Sequence, residues 1–219
     1  MNNLYLHGEI NCKECFAETQ CTLENGWELN NNPSYWGASN PKILILGYSK
    51  GKTQMNNILE FDSIAFKGMR SRLKQILVSL NLINDSIDID TLFKVEEKKF
   101  GFASLIRCGI SKNNKTSGSL IVQSFKNDCT QNIISNCIQK FLNNNIPDSV
   151  EKIILLGSSK EYMKLSMLQF EKIFSDFKKT SENSFFAKNI NWTYVAHPSP
   201  ANGHFNKWIE KHLTKQSSQ

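Results

Sequence analysis

Two groups of residues in this 219-residue chain have the chemistry to build a site. The first is a set of thiols: Cys12 and Cys15 in the run Cys12-Lys13-Glu14-Cys15, then Cys108 and Cys137. The Cys12/Cys15 pair stands in a polar stretch that offers little core, which suits ligands better than buried thiols. Four thiolates can enclose an iron–sulfur cluster, or one zinc ion in a tetrahedral shell. Spacing alone does not choose between them. Cys137 falls on an apolar stripe, where a cysteine is commonly plain core. Cys129 is a rival fourth ligand and Cys21 a weaker one. The second group is His197-Pro198-Ser199-Pro200-Ala201-Asn202-Gly203. Two prolines fix the backbone on either side of Ser199, and a rigid turn can hold an imidazole and a hydroxyl in place. The same residues also make an ordinary proline turn with a solvent-facing imidazole. Gly47 to Lys52 contains Gly, Ser and Lys but lacks the Gly-x-x-x-x-Gly-Lys-Ser/Thr spacing, which argues against a nucleotide triphosphatase.

The elements that must position these groups alternate between strand and helix. Lys42 to Gly47 is a short apolar run ending in Gly, the pattern of a strand buried on both faces, and Lys152 to Gly157 repeats it. Gly101 to Arg107 predicts another strand. Met69, Leu73, Ile76, Leu77 and Leu80 share one helical stripe, as do Ile133, Ile134, Cys137, Ile138, Phe141 and Leu142. A further helix is predicted from about Lys160 to Phe177. Ser184–Lys188 and Trp192–Ala196 predict a hairpin with its turn at Asn189–Asn191, and a last helix begins near Asn206. Residues 109–126 read as an exposed loop. Such alternation predicts a three-layer α/β/α fold with a mostly parallel central sheet, as one domain over residues 1–219. In such sheets ligands bind beyond the carboxyl ends of the strands. Gly47–Gly51, Ser104–Cys108 and His197–Gly203 all fall there.

Composition sets the outer bounds. Apolar residues are 40% of the chain and charged residues 21%, enough apolar surface for a packed core rather than a disordered chain. No run of about 18 apolar residues is present, so no bilayer-spanning helix and no membrane partner is expected. Six cysteines and a start unlike a secretory signal point to a reducing, cytoplasmic setting. The net charge of +6 permits nucleic-acid binding without establishing it.

Taken in order, these motifs resemble the uracil-DNA glycosylase superfamily, over roughly Cys12 to Trp208. That superfamily carries a strand ending in a Gly-x-x-Pro loop, matched in part by Gly47-Tyr48-Ser49-Lys50-Gly51. It also carries a late His-Pro-Ser motif, matched by His197-Pro198-Ser199, and a Phe-x-Gly, matched by Phe66-Lys67-Gly68. The cysteines are similar to those of the iron–sulfur branch, which holds a [4Fe-4S] cluster. The resemblance implies that Cys12, Cys15, Cys108 and Cys137 ligate the cluster, with zinc the alternative. It implies DNA as the partner, and excision of uracil or another deaminated or damaged base by cleavage of the N-glycosidic bond. The base is flipped out or taken from a single strand and stacks on Phe66. His197 donates to the leaving base, and the positions of Tyr48 and Ser49 belong to the catalytic loop. Gly47, Gly51, Ser104 and Ser199 line the base and phosphate site. Asn202, with His204, either lines that pocket or caps the last helix, and Arg70 and Arg72 are phosphate candidates because they flank Phe66.

The chain departs from the branch at two points. The carboxylate that stands second in the first loop is Tyr48 here, and the Asn that reads the uracil edge is Ser104. Gln54, Glu60 and Asp62 are the nearby residues that could replace the carboxylate. A non-catalytic DNA-binding module of the same fold is therefore the alternative function, and a glycosidase of free nucleosides a third.

Overall fold

Along Ile43-Leu44-Ile45-Leu46 every side chain is apolar, so both faces of the strand they form must be covered. In the computed structural model, which describes residues 4–15, 20–51, 54 and 60–216, both faces are. The strands are β1 (Gly8–Glu9), β2 (Gln20–Thr22), β3 (Trp27–Asn30), β4 (Ser34–Gly37), β5 (Ile43–Gly47) and β6 (Phe100–Ser104). Then follow β7 (Gly109–Lys112), β8 (Lys152–Leu156), β9 (Lys178–Lys179), β10 (Ser184–Ala187) and β11 (Ile190–Val195). The helices are α1 (Phe61–Ile64), α2 (Arg70–Ser79), α3 (Gly118–Ser124), α4 (Asp128–Cys137), α5 (Lys160–Ile173) and α6 (Phe205–Gln216).

Eight strands form the main sheet, in the order β1-β4-β6-β5-β8-β11-β10-β9. The four central strands, β6, β5, β8 and β11, are parallel. Both flanks pair antiparallel, so the sheet is mixed rather than mostly parallel. Alternation of side chains divides the core in two. Leu44, Leu46, Ile153 and Leu155 face one cluster, closed by Ile133 and Ile134 of α4 and Tyr162 and Phe170 of α5. Ile43, Ile45, Ile154 and Leu156 face the other, closed by Ile64 of α1, Leu73, Ile76 and Leu77 of α2, and Phe205 of α6. The chain is thus an α/β protein with helices on both faces of its sheet. From β5 it crosses to β6 on one side and later returns to β8 on the other, so the strand order reverses between β5 and β8. A crevice opens at the carboxyl ends of strands at such a reversal.

Several expectations shift. Residues 109–126 are not one loop: β7 pairs with β3 in a separate three-stranded sheet, and α3 starts at an N-cap where Ser117 accepts the Leu120 N–H. Low apolar content hid β7, whose ladder partner lies about 80 residues earlier in the chain. The hairpin turn sits at Lys188 and Asn189, both at positive φ (57° and 59°), one step before the expected place. Such a two-residue turn matches the twist of the strands it joins. The strand expected to reach Arg107 stops at Ser104, where the chain leaves the sheet. The helix expected to reach Phe177 ends at Ile173. Tyr35 and Trp36, which local sequence left unassigned, belong to β4 and are almost fully buried. Among the described residues no helix is long and apolar enough to cross a membrane.

Candidate functional site

The loops after β5 and β6 run side by side. Leu105 N donates to Gly47 O and Ile106 N to Tyr48 O, each at 2.8 Å, and Lys50 N donates to Cys108 O at 3.3 Å. Gly47 and Ser104 are register partners, so the buried Ser104 stands beside the start of the first loop. Ser49 is half-buried there. Gly51 N–H donates to Gln54 Oε1 at 3.2 Å, which occupies that amide oxygen. Glu60 is exposed ahead of α1, and Asp62 pairs with His7 Nε2 at 2.9 Å.

Tyr48 differs from expectation. Its side chain turns into the core, against Phe125 and Tyr162, and its hydroxyl bonds Ser124 Oγ. Burial pushes the phenol well above its ordinary range. A phenol sealed in this way does not reach a substrate at the strand ends. Lys50 is buried as well: its ammonium donates to Asn32 O and, at 2.7 Å, to Ser34 Oγ. Burial lowers it to about 8.

The His197 turn follows β11 directly. Ser199 N–H donates to His197 Nδ1 at 3.1 Å, so the neutral ring carries its proton on Nε2. Burial pushes this imidazole below its ordinary value, which keeps it neutral at pH 7. Asn202 Nδ2 donates to His197 O at 2.8 Å, while its Oδ1 accepts the His204 N–H at 3.1 Å ahead of α6. Asn202 therefore ties the turn to the helix start. Ser199 Oγ accepts from Ala201 N at 3.3 Å. The result is a neutral N–H donor whose tautomer and backbone are both set by local bonds.

The Phe66 segment lies on the same face of the sheet. Phe66, Ala196 and Phe205 belong to one apolar cluster, and Arg72 Nη1 in α2 donates to Ser199 O at 2.7 Å. Phe66 has φ 53°, uncommon for a bulky residue. Its ring is 5% exposed and packs on Phe93 and Phe102 with centroids 5.9 and 6.1 Å away. Arg70, expected at a phosphate, is instead committed to this segment. It donates to Ala65 O at 2.9 Å, to Asp62 O and to Asp90 Oδ1 at 2.8 Å, and lies over the Phe93 ring. Its donors hold the turn that carries Phe66, which local sequence did not reveal because the acceptors are backbone carbonyls.

The thiols make a second centre on the flank. Cys12, Cys15, Cys108 and Cys137 line one small cavity of about 20 Å³ that opens to solvent. Asn136 Nδ2 donates to Cys15 Sγ at 3.7 Å, and the Cys108 thiol donates to Asn31 Oδ1 at 3.4 Å. Burial, and the neighbouring thiols after it, push Cys108 up to about 12 and Cys137 higher still. Without a metal these sulfurs stay protonated; binding one displaces the protons. Cys129 does not line the cavity, and the side chain of Cys21 lies outside the described residues. No three His, Cys, Asp or Glu side chains among the described residues are close enough to hold a single ion. Arg107 also lines this cavity, a feature the sequence did not announce.

Compared with models of known protein families and with curated proteins, the chain matches none.

Proposed function

We propose that this chain is a DNA glycosylase-like hydrolase of the uracil-DNA glycosylase type, with a cysteine-bound [4Fe-4S] cluster as a structural staple. The observation that carries the reading is the His197 turn at the carboxyl end of β11, a neutral imidazole whose Nε2–H is left to donate. An excised base leaves as an anion, and a fixed neutral donor stabilises that charge as it develops. The Gly47–Gly51 loop and Ser104 lie at the same end of the sheet, at the ends of β5 and β6, with β8 between β5 and β11, and would contribute to holding the base and nearby phosphate. Phe66 lies on the same face as the His197 turn, but its ring is packed on Phe93 and Phe102, so the stacking role that the resemblance implies would need that segment to move.

The donor set fits the cluster: four thiols, the ligands such a cluster takes, line one cavity. Cys12, Cys15, Cys108 and Cys137 would hold it. When bound it crosslinks the N-terminal segment, the loop after β6 and α4, which are far apart in sequence. A single zinc draws its sulfurs to about 2.3 Å from one point, a tighter set than these side chains form.

The second reading, a DNA-binding module of this fold without catalysis, is favoured by the first loop. No carboxylate lies in Gly47–Gly51, Tyr48 is sealed in the core, and Gln54 Oε1 is occupied. One experiment separates the two. Labelled oligonucleotides carrying uracil, hypoxanthine, xanthine or an alkylated base are incubated with the protein, and abasic sites are opened with alkali. Strand breaks on one of them support excision. Salt-sensitive binding without breaks on any supports the module, and no affinity for DNA even at low ionic strength sinks both in favour of free nucleosides.

A further inference from the structure

We infer that Arg107 is the internal counter-charge of the four-cysteine cavity, so that the cavity is built for an anionic, thiolate-bound group; this rests on the metal part of the proposal above. Arg107 is 1% exposed. Its Nε, Nη1 and Nη2 are buried and have no anionic partner among the described residues, the neutral Tyr5 hydroxyl being a nearby acceptor. Three rings box it in: Phe141, Tyr5 and Tyr35, with centroids 4.8, 5.2 and 5.9 Å from the guanidinium carbon. Tyr5 is near enough for the cation to oppose the effect of burial on its phenol, yet it donates its own proton to Phe141 O. A guanidinium keeps its charge at any working pH. A buried, unpaired cation is strongly unfavourable, and contacts with ring faces offset that only in part.

Of the other cations near the cavity, Lys140 has an anionic partner and Lys50 has neutral acceptors. Lys140 bonds Glu14 at 2.8 Å, and Lys50 bonds Asn32 O and Ser34 Oγ. The cavity that Arg107 lines is walled by four thiols and opens to solvent, so its occupant is the missing anion. As each sulfur–metal bond forms, one thiol proton leaves to solvent. Four thiolates around a doubly charged core then leave a net charge of about −2. Arg107 is thus unfavourable in the empty protein and favourable in the loaded one.

The test compares Arg107→Met and Arg107→Lys with the wild type. Iron, sulfide and zinc per chain are measured first, then the rate of metal loss to a chelator, the reduction potential, and thermal stability with and without metal. Loaded Arg107→Met is expected to lose metal about 10–100-fold faster, as outer-shell changes do. Its potential should fall, because the more negative reduced state loses its counter-charge, and Arg107→Lys should lie near the wild type. Stripped of metal, Arg107→Met should melt at a higher temperature than the stripped wild type. That crossing of sign separates counter-charge from mere packing. Equal destabilisation of both forms, or a loaded Arg107→Met with unchanged loss rate, overturns the inference while leaving the metal site standing. A wild type loaded with zinc keeps the inference on the loss rate and refutes iron–sulfur. A wild type that binds neither metal overturns both.

Discussion

Replacing Arg72 by methionine tests whether the His197 turn is held from α2. Arg72 Nη1 donates to Ser199 O at 2.7 Å, and its guanidinium lies 4.7 Å from the Phe205 ring centroid. A hydrogen bond from a charged donor contributes about 1.5–3 kcal/mol. A cation–π contact at a half-exposed position adds about 0.5–1 kcal/mol. Methionine keeps much of the packing of the arginine stem, and Arg72 is only half-buried, so the lower part of the range applies: about 2 kcal/mol. At about 1.4 kcal/mol per decade this is roughly a 30-fold change in an opening equilibrium. The reporter is the Ser199 amide, which donates to His197 Nδ1 and is freed when the turn opens. Its hydrogen exchange should quicken about 30-fold in Arg72→Met, and the urea midpoint should fall with the slope unchanged. Arg72→Lys keeps charge without the planar fork and should lie between. If the proposed excision is present, its kcat should drop more than KM rises, because His197 acts on the leaving group. Ser199 exchange that is the same in Arg72→Met and wild type would refute the reasoning: the turn would then stand on its prolines and the His197 bond alone.

Three further outcomes follow from the same geometry. Burial depresses His197 below its ordinary 6.5, so its contribution to stability is intact above that value and declines as pH falls through 6.5 toward the folded value; urea midpoints between about pH 7 and pH 5 should therefore slope more steeply in wild type than in His197→Gln, and parallel slopes would count against it. Tyr48→Phe removes a bond to Ser124 Oγ, whose own proton is donated to Ile121 O at 2.6 Å, so the loss should be only about 0.5–1.5 kcal/mol by denaturation. DNA binding and any base excision should be untouched, and a large loss of either would restore a direct role for the phenol. Cys12→Ser and Cys137→Ser should lose bound metal while Cys129→Ser keeps it, measured as metal per chain; retention in Cys137→Ser with loss in Cys129→Ser would reverse the ligand assignment.

The elements legible in sequence were those whose signal is local. β5 and the Ile153–Leu156 stretch of β8 are apolar throughout because both their faces are covered, and α2 shows its stripe because Leu73, Ile76 and Leu77 share one buried face. The short strands β1, β4 and β7 carry no such signal. They exist because distant ladders accept them, as Tyr35 does opposite Gly8 and Trp36 opposite Phe102. The cysteines show the same limit. Cys129 and Cys137 lie on one row of α4, eight residues apart, which is about 12 Å along the axis. Nothing in the row itself says which end meets the loop after β6.

Residue types and short-range periodicity alone determined the α/β class, the placement of the His197 turn after a strand, and the supply of thiols. These properties follow from neighbours within a few positions, whose spacing decides which face a side chain takes. Tertiary packing alone decided which thiols share a cavity, that Tyr48 turns inward, that Arg70 and Arg72 hold loops, and that Arg107 is buried without an anionic partner among the described residues. Each of those depends on contacts between segments tens of residues apart, and the energy of a buried charge or hydroxyl is set by what the fold places beside it.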